Sequence, residues 1–132
     1  MTNESEQSTQ SDVTAAELLG AVKGFLMDSV LPAVSGRDQF NTRVAANVLG
    51  IIEREHALGP DLQALDREAA ERWLPDQEST KDIPQQLARA LAARAIPVDP
   101  GFVDYLRARQ LLVTAINNPR YASRAVAEAR WR

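Results

Sequence analysis

The chain contains no cysteine, which removes disulfides, thiolate nucleophiles and cysteine-ligated zinc together. It contains one histidine, His56. A lone imidazole without a second one is a poor metal site, and neither a metal nor another cofactor is expected. No apolar run approaches the roughly 20 residues that a membrane-spanning helix needs, so no membrane association is expected. The residues after Met1 are polar and acidic, unlike the basic-then-apolar order of a secretion signal, and a cytoplasmic protein is the simplest expectation. Excess positive charge is also missing: a formal net charge of −3 argues against a nucleic-acid binder, which shows phosphates a basic face. There is no HExxH pair, no glycine-rich phosphate loop and no GxSxG elbow, and Ser29, Ser35, Ser79 and Ser123 have no obvious base nearby in the sequence.

What remains is a chain of 132 residues, 45% hydrophobic and 25% charged, which is the size and composition of one globular domain. Its first stretch, "MTNESEQSTQSD", has too little apolar surface to offset its ordering entropy, so residues 1–13 are expected to form a disordered acidic arm. Residues 14–118 are expected to form the folded domain, and residues 119–132 a basic tail able to form a short helix.

The breakers divide the folded part into five expected helices. "TAAE" places Thr14 at an N-cap with Glu17 three residues on, a capping box that opens a helix over 14–31. Pro32 and "SG" end it. Asp38 is the candidate cap of a second helix, 38–58, which Gly59 and Pro60 are expected to close. A third spans 62–73. The loop "PDQESTKD" leads to a fourth over 83–96, with Asp82 as its candidate cap and Pro84 in its first turn. "DPG" opens the fifth, 100–117, in the order cap then first-turn proline, and "NNP" ends it at an asparagine suited to a left-handed cap. No sustained alternating β-branched run is present. The expected fold is all-α, an antiparallel bundle of about five helices around Leu19, Val22, Leu26, Val44, Val48, Ile51, Leu106, Val113 and Ile116.

Two of these helices carry a charge where their apolar stripes are widest. At about 100° per residue, Phe40, Val44, Val48, Ile51 and Leu58 share a face with Glu55 in its middle. Phe102, Tyr105, Leu106, Leu112, Val113 and Ile116 share another with Arg109 in its middle. An unpaired buried carboxylate costs several kcal/mol, and a guanidinium suits bidentate pairing, so Glu55 is expected to face Arg109. The plain interpretation is a buried ion pair that fixes which helices pack together. The functional one is a ligand cleft in which Glu55 and Arg109 act with Tyr105 and Asn47, and a third is that one or both charges reach the rim and never meet.

A polar stripe runs beside the first face. Arg43, Asn47, Gly50 and Arg54 fall within about 60° of one another on a helix, and two arginines with an amide over a glycine could hold a phosphate or carboxylate. The simpler role is packing, with the arginine stems covering the stripe and Gly50 admitting a close neighbour. His56 lies off the apolar face as a solvated residue near the helix end, and Glu68, Glu71 and Asp104 fall on outer faces. The closing "NNPRYASRAVAEARWR" carries four arginines and Trp131 against one acid. It is either a frayed tail or a docking segment for an acidic partner, with Arg and Trp as anchors.

The stretches "TAAELLGAVKGFLMDSVLP", "FNTRVAANVLGIIEREHALGP" and "NNPRYA" together resemble a small bacterial family described as a domain of unknown function. The resemblance extends over residues 14 to 122, and its middle block is the most specific. Members of that family are often encoded beside aminoglycoside-phosphotransferase-like small-molecule kinases and acyl-CoA dehydrogenases. The resemblance therefore implies a place in acyl-CoA or hydroxy-acid metabolism and a kinase or dehydrogenase as protein partner. It supplies no catalytic residues, and the tail beyond Ala122 departs from the family pattern. The preferred expectation is a non-catalytic accessory or regulatory subunit, with homodimerisation as a weaker substitute for a foreign partner. The alternative is a small helical enzyme or a binder of acyl or anionic ligands, built on Glu55, Arg109, Tyr105 and the Arg43, Asn47, Arg54 stripe.

Overall fold

The structure, a computed structural model, describes residues 12–74 and 82–131. The expectations for the first eleven residues of the arm and for the loop at 75–81 lie outside the described residues. Five α-helices and no strand are present among the described residues: α1 (Ala15–Phe25), α2 (Gly36–Trp73), α3 (Ile83–Ala92), α4 (Pro100–Asn117) and α5 (Ala122–Arg130). The fold is all-α. The chain divides into two compact units, the first ending at Leu49 and the second beginning at Gly50.

In the first unit, α1 starts where its capping box places it. Glu17 N–H donates to Thr14 Oγ1 at 3.2 Å while Thr14 N–H donates to Glu17 Oε2 at 2.8 Å. The α geometry then widens into a π turn, Leu26–Val30, in which the Leu31 N–H reaches back to the Leu26 carbonyl, and tightens into a 3₁₀ turn, Leu31–Ala33. Pro32 explains the change of pitch, since it has no N–H to continue the ladder and its ring crowds the carbonyl four residues earlier. Val34 is extended and Gly36 takes a φ of +59°, which favours glycine. Helix α2 begins at Gly36, so Asp38 sits in its first turn rather than at its cap, and its carbonyl accepts the Thr42 hydroxyl at 2.7 Å.

The second unit holds the core. Ala69, Ala70, Ile83, Leu87, Ile96, Phe102 and Tyr105 are buried together, with Leu65, Trp73, Leu74, Ala90 and Leu91 packed against them. Trp73 meets Phe102 edge-on, centroids 5.0 Å apart at 83°, and Tyr105 completes the aromatic cluster at 5.9 Å from each. Such offset and T-shaped pairs are favoured by the ring quadrupoles. The Arg72 guanidinium lies 4.7 Å from the Trp73 ring and against Gly101, where a Cβ would come within 2.8 Å of it. Glycine at 101 thus leaves room for the Arg72 guanidinium over the first turn of α4.

Helix α2 overturns the expected break at Gly59 and Pro60: it runs unbroken for 38 residues with Pro60 in its interior. An interior proline costs about 3 kcal/mol, but the turns beyond it bury Ala69 and Ala70 and half-bury Leu65 and Trp73. Each large apolar side chain contributes about 1.5–3 kcal/mol, which outweighs the proline. The count of five helices therefore arises differently from expectation. The second and third merge, and the fifth is α5, the short helix that the basic tail was expected to be able to form.

The expected core also needs correction. Ile116 is buried, but Val22, Val44, Val48 and Leu106 are exposed and Leu19, Leu26, Ile51 and Val113 are only half-buried. At α3, Asp82 occupies the N-cap position in the left-handed region without a side-chain capping bond. The helix ends at Ala92, earlier than expected, because Arg94 takes a φ of 56°. The Ala95 N–H then bonds the Ala90 carbonyl at 2.9 Å and the Arg94 N–H bonds Leu91 at 3.0 Å, the paired closure of a Schellman motif. Asp99 caps α4 as expected, its Oδ1 accepting the Phe102 N–H at 2.8 Å. Asn118, at the other end, is not left-handed, with φ −152°.

Candidate functional site

Tyr105 and Arg109 are one turn apart on α4 and so project from the same face. Both reach one acid on α2, Asp66, which is buried. Asp66 Oδ1 accepts the Tyr105 hydroxyl at 2.5 Å and Arg109 Nε at 3.0 Å. The Arg109 charge compensates the carboxylate in a partly desolvated place, where an uncompensated one would be costly. Burial, and then the hydrogen bond and charge of Asp66, push the Tyr105 phenol well above its ordinary range, with Arg109 opposing in part. The phenol is held as a donor. A hydroxyl so held is no base or nucleophile at neutral pH, and the cluster joins α2 to α4.

Glu55, expected to pair with Arg109, stands elsewhere. It is exposed, and it borders a groove of about 470 Å³ in the second unit. The arginine has Asp66 instead. Eleven residues separate the two acids on α2, three turns with a remainder of roughly 20°, so they share a face of the helix. The signal that would have found Asp66 is that eleven-residue spacing, usable only if the helix is carried through Pro60.

The residues of the anion-binding stripe have separate fates. Arg54 Nε donates to the Ile116 carbonyl at 2.9 Å, closing off the last turn of α4 where basic groups are favoured. Arg43 and Asn47 are exposed, and Gly50 is buried. His56 is exposed in the middle of α2 rather than at a helix end, so the dipole argument for it falls. No group of three or more metal-ligating side chains is gathered among the described residues. No described helix is long and apolar enough to cross a membrane.

Two other surfaces stand out. Trp131 lies at the end of α5 between two grooves of about 330 and 440 Å³, with the Arg107 guanidinium 5.9 Å from its ring. The arginine-rich end of the chain is thus held against α4 by cation–π contact, and the Arg124–Glu128 pair at 3.2 Å supports α5. The other surface belongs to the first unit. Leu18, Val22 and Phe25 on α1, and Phe40, Val44 and Val48 on α2, recur at the spacing of a buried stripe, yet each is between 44% and 64% exposed.

No curated protein and no solved structure matches the chain. A family model does, described as Domain of unknown function (DUF6285), over residues 32–121. That span takes in the end of the 3₁₀ turn, α2, the whole aromatic core and the Asp66–Tyr105–Arg109 cluster. The chain belongs to this DUF6285 family.

Proposed function

We propose that the protein is a non-catalytic accessory or regulatory subunit that docks onto another protein through its first unit. The exposed apolar stripes carry this proposal. Six large apolar side chains at helical spacing stay in water, at a cost of about 25 cal/mol for each Å² left uncovered. A surface of that kind marks an interaction site. The Asp66–Tyr105–Arg109 cluster, in which one carboxylate oxygen accepts from both the phenol and the guanidinium, fits a structural role that ties α2 to α4.

The family resemblance directs the choice of partner to an aminoglycoside-phosphotransferase-like kinase or an acyl-CoA dehydrogenase in the cytoplasm. Co-expression with each, followed by size exclusion, tests the proposal. A stable complex is expected, and the protein by itself is expected to turn over neither acyl-CoA nor hydroxy-acid substrates. Symmetric pairing of two copies through the same stripes is the competing use of this face, and light scattering on the purified chain reads it directly as a doubled mass.

A further inference from the structure

The Glu55 carboxylate forms no ion pair or hydrogen bond with any described residue, although it borders a groove of about 470 Å³ between α2 and α4. The lining includes the apolar side chains of Leu62, Val113 and Ile116 and the polar side chains of Glu55, His56, Gln63 and Asn117. Its volume falls in the range of small-molecule sites, and its lining mixes apolar and polar side chains.

The polar side chains of the lining are one acid, one imidazole and two amides. Glu55 supplies a negative charge, and the side-chain amides of Gln63 and Asn117 can each turn an oxygen inward. Pro60, which also lines the groove, adds a further acceptor indirectly. It has no N–H, so the carbonyl of His56, four residues earlier, lacks its helical donor. His56 also lines the groove and can present a ring nitrogen as an acceptor, while Arg54, turned onto the Ile116 carbonyl at 2.9 Å, is not part of the lining. A ligand for such a place brings several hydrogen-bond donors, one positive charge and a short apolar body. An alkylammonium has three tetrahedral donors and fits acceptors that converge from different directions, whereas the planar fork of a guanidinium suits a single bidentate carboxylate.

We propose that this groove binds the ammonium group of a small aliphatic primary amine, with Glu55 as its counter-charge and Leu62, Val113 and Ile116 receiving the alkyl chain. The assignment is independent of the docking surface on the first unit. The same ammonium can also be presented by a lysine side chain, and the experiment separates the two.

Amide chemical shifts of the full chain are followed by NMR during titration, at constant ionic strength, with n-butylammonium, with Nα-acetyl-lysine amide, with butanol and with butyrate. Saturable shifts centred on residues 55–63 and 113–117 are expected with n-butylammonium, and weaker ones with butanol and butyrate. Glu55→Gln, an exposed and nearly isosteric change, is expected to weaken n-butylammonium binding at least tenfold, while Asp61→Asn, outside the lining, leaves it unchanged. The proposal is overturned if n-butylammonium gives no saturable shifts at these residues, if butyrate or butanol binds as well, or if Glu55→Gln binds like the parent. Tighter binding of the lysine derivative than of n-butylammonium would overturn the assignment to a free amine.

Discussion

Arg109 Nε stands 3.0 Å from Asp66 Oδ1, an ion pair that ties α4 to α2. The Tyr105 hydroxyl meets the same oxygen. Removing the guanidinium leaves a buried carboxylate with a single neutral donor. Arg109→Leu is therefore expected to lower unfolding stability by about 3 kcal/mol in urea melts. Because the partner charge is then absent, Asp66→Leu with Arg109→Leu is expected to cost less than Arg109→Leu alone. Glu55→Leu, on an exposed site, is expected to change stability by no more than about 0.5 kcal/mol. If Glu55→Leu proved as damaging as Arg109→Leu, Asp66 would not be the arginine's partner.

Tyr105 makes stability depend on alkaline pH. Its folded-state pKa is raised, by burial and then by Asp66, so the folded chain keeps a proton that the unfolded chain gives up near pH 10, the ordinary phenol value. The stabilisation is fully present below about pH 10 and falls as pH rises above it. Urea midpoints measured between pH 8 and 11 are expected to drop more steeply for the parent than for Tyr105→Phe. Parallel curves would show that the phenol is not held by the fold.

The αL residue at the end of α3 is an arginine where glycine is the usual choice. Arg94 has a φ of 56°, a conformation that is costly for a residue with a Cβ and free for glycine. Its Schellman bonds come from backbone groups, so they survive substitution. Arg94→Gly is expected to raise stability by about 0.5–1 kcal/mol, seen as a higher thermal midpoint with unchanged helical circular dichroism. A lower midpoint would mean that the Arg94 side chain does more than occupy the turn.

Where each residue acts only on its near neighbours, the sequence was a good guide. The Thr14–Glu17 capping box, the Asp99 cap before Pro100 and the all-α class depend on spacings of three or four residues, and each has the expected place. The charge on the α4 stripe was also legible: Arg109 does seek an acid on the facing helix, and Tyr105 lies beside it. Its partner was not legible, because Gly59–Pro60 carries a strong local stop signal that burial of the turns around Ala69 and Ala70 outweighs. Stopping α2 there left Glu55 as the last acid on the correct face and hid Asp66 three turns further on. The exposed stripes of the first unit illustrate the complementary difficulty. Helical periodicity identifies an apolar face, but whether that face meets the chain's own core or water is decided by tertiary packing, which periodicity does not encode.

The central claim is that the stripes of the first unit are a docking surface for a partner protein. Val44→Glu tests it most directly, since Val44 lies mid-stripe on α2 and is 44% exposed, so a charge there is tolerated by the free chain but not by a covered face. Parent and variant are each co-expressed with the candidate kinase and the candidate dehydrogenase and passed through size exclusion with light scattering. The account predicts that the parent co-elutes with one of them, and that Val44→Glu elutes alone with the same helical circular dichroism and urea midpoint as the parent. Separate elution of the parent from every candidate, or a complex that Val44→Glu leaves intact, would contradict it.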